Sequence, residues 1–116
     1  MTMRRLYAGP GGAARFEDWK PDLWPDVPEP GELSVSTPLR ATGSLVVRAP
    51  AGGGHPEQPE AGRRLMVVLS GECEVTASGE TVIGRPGDLL LVEDTIGSGH
   101  SSRTDTGFEA LMIILD

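Results

Sequence analysis

Apolar residues along this chain come in short bursts separated by turns, and most of the bursts lie after residue 43. The first spans residues 45–49 and is closed by Pro50 and the run Gly52-Gly53-Gly54. Residues 64–69 follow, then the turn Ser70-Gly71. Residues 72–76 alternate polar and apolar, the period-two pattern of a strand with one wet and one dry face. Ala77-Ser78-Gly79 leads into residues 80–83, and Gly84-Arg85-Pro86-Gly87 leads into residues 88–92. A Gly- and Ser-rich stretch over 95–102 precedes the last burst, 108–115. Six short strands at about ten-residue spacing predict an all-β sandwich or barrel. Residues 65–69 and 89–92 are almost continuously apolar, so both faces of those strands are expected to be covered.

The first 43 residues are different in character. Arg4-Arg5-Leu6-Tyr7 and Ala14-Arg15-Phe16-Glu17 flank Gly9-Pro10-Gly11-Gly12 and read as a hairpin or edge pair. Residues 20–31 contain Pro21, Pro25, Pro28 and Pro30, which rules out a helix or a central strand. Because Leu23, Trp24 and Val27 need cover, this segment is expected to be an ordered loop lying across the body. The division is then one domain over 1–116, with an arm and covering loop over 1–43 and a barrel core over 44–116.

Composition narrows the classes. A chain of 116 residues supports one modest core. Gly 16 and Pro 10 argue against a helix bundle. Aromatics at 4% are too few for base-stacking platforms. The net charge of −7 leaves no surplus of cations for phosphates, so neither nucleic acid nor an anionic membrane is an expected partner. One cysteine, Cys73, leaves no partner for an internal disulfide and excludes a Cys-rich zinc site. No apolar run approaches the ~18–20 residues of a membrane span. Arg4-Arg5 are followed by a glycine turn instead of a signal-peptide core, so a cytoplasmic protein is the expectation.

Two segments carry a family resemblance. One is Arg63-Arg64-Leu65-Met66-Val67-Val68-Leu69-Ser70-Gly71-Glu72. The other runs from Gly84-Arg85-Pro86-Gly87-Asp88 through Glu93-Asp94-Thr95-Ile96-Gly97-Ser98-Gly99-His100. Together they resemble the two signature motifs of small single-domain bacterial cupins, over residues 44–116. The resemblance implies a cupin barrel (double-stranded β-helix, jelly-roll-like) of two facing antiparallel sheets around a ligand cavity, and a homodimer. It extends to metal-poor cupins that act as polyketide-tailoring cyclases and pericyclases.

The departures from the family pattern bear on chemistry. Metal-binding cupins offer His-x-His and a Glu from the first motif and a His from the second. Here His100 fills the last place. Arg64 stands at or next to the Glu position, and the His-x-His places fall in Glu57-Gln58-Pro59-Glu60, with His55 nearby. A fixed guanidinium close to a divalent ion is repulsive by several kcal/mol even at an effective dielectric of ~20. The expectation is therefore a cavity without metal or other cofactor.

His100 reads either as a structural histidine or as a cavity acid/base. Arg64 reads either as a charge at a strand mouth or as a donor to a carbonyl. Arg48 has the same ambiguity. Met66 and Val68 share a face with Arg64 and become cavity wall if Arg64 points inward. Trp24 and Tyr7 are candidate lid aromatics, and Trp19 a surface or interface anchor. Asp94 is expected to bond backbone amides of the turn after it, and Cys73 to be a buried thiol.

Three functions stay open at this stage. The first is a metal-independent cyclase or isomerase moulding an apolar polyketide-like substrate, up to a pericyclic cycloaddition on a macrolactone precursor, with His100 and Arg64 as its polar anchors. The second is a metal-dependent oxygenase or isomerase using His55, Glu57 and His100. The third is a non-catalytic binding module for a small ligand.

Overall fold

A computed structural model describes residues 1–116. In chain order the strands are β1 (Met3–Ala8), β2 (Ala14–Asp18), β3 (Leu23–Trp24), β4 (Val35–Ser36), β5 (Ala41–Ala49) and β6 (Gly54–Gln58). They continue with β7 (Arg64–Gly71), β8 (Cys73–Ala77), β9 (Glu80–Gly84), β10 (Leu89–Glu93), β11 (His100–Arg103) and β12 (Phe108–Leu115). One short 3-10 turn, Pro10–Gly12, sits between β1 and β2.

Two facing sheets make up the body. The larger has six strands in the order β2-β1-β10-β7-β12-β5, and the smaller has four in the order β6-β11-β8-β9. All neighbours in them are antiparallel except β1 beside β10, which run parallel. The fold is an all-β, jelly-roll-like sandwich, as the spacing of the apolar bursts predicts.

Within the two facing sheets, two strands lie where the sequence reads as loop. β6 carries Pro56, which has no N–H for a ladder, but β6 is the edge of its sheet, where a proline is tolerated. β11 is His100-Ser101-Ser102-Arg103, without a large apolar residue. It is nevertheless held between β6 and β8, so tertiary pairing overrides weak intrinsic preference.

The core lies between the sheets. Leu6, Met66, Val68, Leu90, Val92, Phe108 and Ala110 come from the large sheet, and Cys73, Val75 and Ala77 from the small one. Each buried large aliphatic contributes roughly 1.5–3 kcal/mol. On the outer face of the large sheet a second cluster joins Leu65, Leu91 and Leu115, with Trp19 packed on it. Trp19 thus anchors the chain after β2 to its own sheet. The continuous apolar runs of β7 and β10 follow from this double covering.

The proline-rich segment departs from expectation. β3 and β4 form a separate two-stranded sheet. Leu23, Trp24 and Val27 are exposed rather than laid across the body. The apolar content of this segment does not find cover within one copy of the chain.

Two carboxylates tie neighbouring segments of the large sheet together. Glu93, at the end of β10, accepts hydrogen bonds from Arg5 at 2.5 Å and Arg63 at 2.6 Å. Burial pushes its pKa up, but these two arginines outweigh that and hold it below 4.5. Asp88 behaves alike: burial opposes ionisation, and the backbone N–H groups of Arg85 and Thr2 win.

Three outcomes follow. Both groups have folded-state pKa values below their unfolded ones, so their stabilisation is present above about pH 4.5 and is lost as pH falls through the lowered values. The urea midpoint is expected to fall between about pH 5 and pH 3. Glu93→Gln is expected to cost about 1 kcal/mol near neutrality, given half-exposed arginine partners, and to flatten that acid slope. Cys73 is almost wholly buried, and burial pushes its thiol up to about 11. Native protein should give no colour with a thiol-reactive disulfide reagent at neutral pH, and one equivalent after denaturation.

Candidate functional site

Between the sheets lies a cavity of about 230 Å³. Its walls are Val47, Met66, Cys73, Val75, Leu90, Val92, Phe108 and Met112, and its polar end is made by His55, Gln58, Glu60, His100 and Ser102. The wall is therefore apolar and thiol-lined, with hydrogen-bonding groups gathered on β6, on β11 and just after β6.

The position of each polar group has a local cause. His55 pairs with Ser102, and Gln58 with His100. Three steps on β6 thus match two on β11, so β6 carries one extra residue, a bulge. The bulge brings Gln58, not Glu57, to the cavity with His55. Glu57 does not line the cavity, and the expectation that it faces a metal is corrected for this reason. His100 follows Gly97 (φ 80°) and Gly99 (φ 73°), both in the left-handed region that favours glycine. A Cβ on Gly99 would run into the Gln58 backbone, and one on Gly97 into Gly12. The Gly-x-Gly-His spacing is thus a steric requirement: the loop must lie flat on β6 and on the first hairpin to deliver His100 into the sheet.

His100 is buried and bonded through Nδ1 to Oδ2 of Asp94 at 2.5 Å. Asp94 is fully buried, and its other oxygen, Oδ1, has no partner. Its carboxylate therefore binds the imidazole rather than the turn amides the sequence suggests. The ring sits six residues downstream, on the far side of the glycine loop, where short-range turn rules do not reach. With the carboxylate as acceptor, Nδ1 of His100 carries the proton and Nε2 presents its lone pair. Nε2 stands 3.7 Å from Oε2 of Glu60, beyond direct hydrogen bonding. Glu60 is in turn 3.7 Å from Nε of Arg64 and donates its backbone N–H to the Asp94 carbonyl at 3.0 Å. His55 holds the Pro56 carbonyl through Nδ1 at 2.8 Å, and its ring meets that of His100 edge-on at 5.0 Å.

The other expected site residues are distributed as follows. Met66 lines the cavity. Val68, on the same face, lies deeper, against Gly84 beside a separate small void, and does not line this cavity. Arg64 lies at the mouth beside Glu60 and is not among the lining side chains. It balances a cavity carboxylate. Arg48 points outward and pairs with Glu109 at 3.0 Å, because its neighbour Val47 takes the inward position on β5. Tyr7 lies under the Arg5 guanidinium, 4.5 Å from the ring centre, away from the cavity. Trp24 is exposed on the small separate sheet and covers nothing. The lining roles expected of Val68, Arg48, Tyr7 and Trp24 are corrected accordingly. Sequence reasoning missed Asp94 as the partner of His100, and Gln58 and Ser102 as lining groups. Gln58 and Glu60 stood in the His-x-His window, but only the bulge reveals which residues there face inward.

The fold's common occupant is a divalent metal, which needs three or four donors converging at ~2.0–2.2 Å. No three His, Cys, Asp or Glu side chains of the chain converge in that way. The guanidinium of Arg64 stands beside the one lining carboxylate, Glu60, which leaves His55 and His100 without a free carboxylate to complete a ligand set. The side chains present do not fit the group.

Comparison with known proteins agrees with the architecture. The Cupin domain family matches residues 45–114. A search of curated proteins finds no match. A conserved protein of unknown function from Streptococcus pyogenes is similar over 70% of this chain and 69% of its own, at 17% identity and a TM-score of 0.53. A cupin superfamily protein from Desulfitobacterium hafniense is similar over 68% and 83%, at 21% identity and 0.51. The cupin domain of Cnp3 from Schizosaccharomyces pombe covers 90% and 74%, at 20% identity and 0.52. These likenesses speak for the fold, and with a family match over more than half its length the chain belongs to the cupin domain family.

Proposed function

We propose that this cupin is a metal-independent isomerase or cyclase for an apolar, carbonyl-bearing small molecule of the polyketide-like class, with His100 as its general acid/base. One observation carries the reading: a buried Asp94–His100 pair, Nδ1 to Oδ2 at 2.5 Å, at the polar end of an otherwise apolar cavity.

The chemistry follows from that placement. Nε2 of His100 removes a proton next to a substrate carbonyl, and the imidazolium formed is stabilised by Asp94 through Nδ1–H. The enolate oxygen left behind is met by the hydroxyl of Ser102 and the amide of Gln58, both lining the same end. The proton returns from Nε2 to another carbon, completing an isomerisation, or the enolate carbon adds to a second carbonyl of the same molecule held bent by the walls, whose C=O π bond breaks and whose oxygen takes the proton from Nε2. Atoms balance without any co-reactant. Arg64 keeps Glu60 charge-compensated, so the polar end does not repel the developing oxyanion.

Cavity size narrows the substrate. About 230 Å³ is some one and a half times a space that takes benzene, so about ten non-hydrogen atoms can be enclosed. A whole macrolactone is larger, and a cycloaddition is compatible with this space only where the reacting portion alone enters.

The test uses 2-tetralone, an enolisable ketone of suitable size, in deuterated water with NMR detection of hydrogen exchange beside the carbonyl. Exchange should exceed the buffer rate, fall by about 10²-fold or more in His100→Gln and persist in excess EDTA. Exchange unchanged in His100→Gln, or abolished by EDTA and restored by added metal, contradicts the proposal.

A further inference from the structure

We propose that Met66 is the movable end wall of the cavity and sets the length of apolar tail that a bound carbonyl compound carries; this rests on the small-molecule reading of the cavity given above. Behind the cavity lies a second, much smaller void of about 10 Å³, room for about one water-sized group. Met66, Val75 and Leu90 line both spaces. The partition between them is therefore a single layer of side chains. The inward positions of β7 mark the order of the stations. Arg64 stands at the mouth beside Glu60, Met66 in the partition and Val68 on the void. At about 3.3 Å per residue, mouth and void are about 13 Å apart along the strand.

Of the three shared side chains, Met66 is the one built to move. Val75 is β-branched and stiff at its first torsion. Leu90 is branched as well. Met66 is unbranched, and its thioether adapts to irregular apolar shapes. It pairs in register with Met112 on β12, which also lines the cavity, so a second thioether gives way beside it. β7 is held between β10 and β12, so adaptation falls to the side chains and not to the backbone.

The void leads onward. Val82 and Ile83 continue its apolar wall, and Arg4 and Asp88 line both the void and an open polar groove of about 400 Å³ on the far side. Asp88 is fixed there, because its two oxygens accept the backbone N–H groups of Thr2 and Arg85. A passage thus crosses the sandwich from the His100 end to this groove, interrupted at Met66, Val75 and Leu90. The interruption is wholly apolar, and a polar group placed against it would go without a hydrogen bond. The carbonyl of the guest therefore stays at the His100 end, and an unbranched hydrocarbon tail points at Met66. The cavity itself takes about ten non-hydrogen atoms. A longer tail has to turn Met66 aside and enter the void.

Calorimetric titration with unbranched methyl ketones, 2-heptanone to 2-tridecanone, tests this on the full chain. Wild-type affinity is expected to rise about fourfold per methylene up to about ten non-hydrogen atoms, and by about twofold or less beyond. Met66→Ala removes three non-hydrogen atoms from the partition. Its break should come about three carbons later, with 2-dodecanone bound at least about tenfold more tightly than by wild type. Met66→Val should shift the break by about two carbons, and it carries the reading if Met66→Ala does not fold. Methyl NMR of the wild type decides where neither variant folds: the Met66 signal should respond to 2-nonanone, and those of Val68 and Val82 to the longer ketones alone. A wild-type series without a break, a break unmoved in a folded variant, Val68 and Val82 signals that respond equally to 2-heptanone, or no ketone binding at all overturns the proposal. A break that moves as stated, with no hydrogen exchange in 2-tetralone, upholds the length limit and contradicts the catalytic role of His100 alone.

Discussion

Everything proposed for the site depends on one buried contact, the bond from His100 to Asp94. A carboxylate without access to water and with one unpartnered oxygen is costly unless it is paired, and removing a partner from such a pair costs about 3–5 kcal/mol. Pairs of this kind earn little stability over apolar packing. What the contact provides is orientation: it selects the protonated nitrogen of the ring and turns the other toward the cavity. The surrounding structure serves that arrangement. Two left-handed glycines lay the 95–99 loop flat, and the Glu60 amide fastens the end of the β6 segment to the Asp94 backbone.

The division of labour between the sheets follows from their composition. The six-stranded sheet supplies apolar wall on its inner face through Met66, Leu90, Val92 and Met112. The four-stranded sheet supplies the polar groups, through β6 and β11, its two strands with the least apolar content. These strands contribute little to burial and owe their place to neighbours. In return they present histidine, glutamine and serine to the cavity. Polarity at that end and weak strand signal in the sequence have the same origin.

Much of the frame was legible in the residues alone. The apolar bursts at 45–49, 64–69, 72–76, 80–83, 88–92 and 108–115 correspond closely to six of the strands, because period-two burial and Gly/Pro turns act locally. His100, from the motif, and Met66, from alternation along β7, were candidates for the cavity, and both line it. What stayed hidden was non-local. The bulge that replaces Glu57 by Gln58 is visible only once β6 is in register with β11. The Asp94–His100 bond crosses a loop whose path is set by Gly12 and Gln58. Trp24 reads as cover for its own body because an exposed tryptophan is unusual, and no local signal in the proline-rich segment shows that it pairs into a separate two-stranded sheet instead. Arg48 and Val68 were misplaced by simple geometry: one lies a single step out of phase on β5, the other one layer too deep on β7.

The most direct test of the central contact is nitrogen-15 NMR of the His100 ring, recorded on the wild-type chain and on Asp94→Asn. The account predicts a wild-type imidazole with its proton fixed on Nδ1, shielded from solvent exchange, and an unprotonated Nε2. In Asp94→Asn the Nδ1 proton should lose that fixed position while the sheets stay folded. A wild-type ring protonated on Nε2 alone, or one whose signals do not respond to Asp94→Asn, would contradict it.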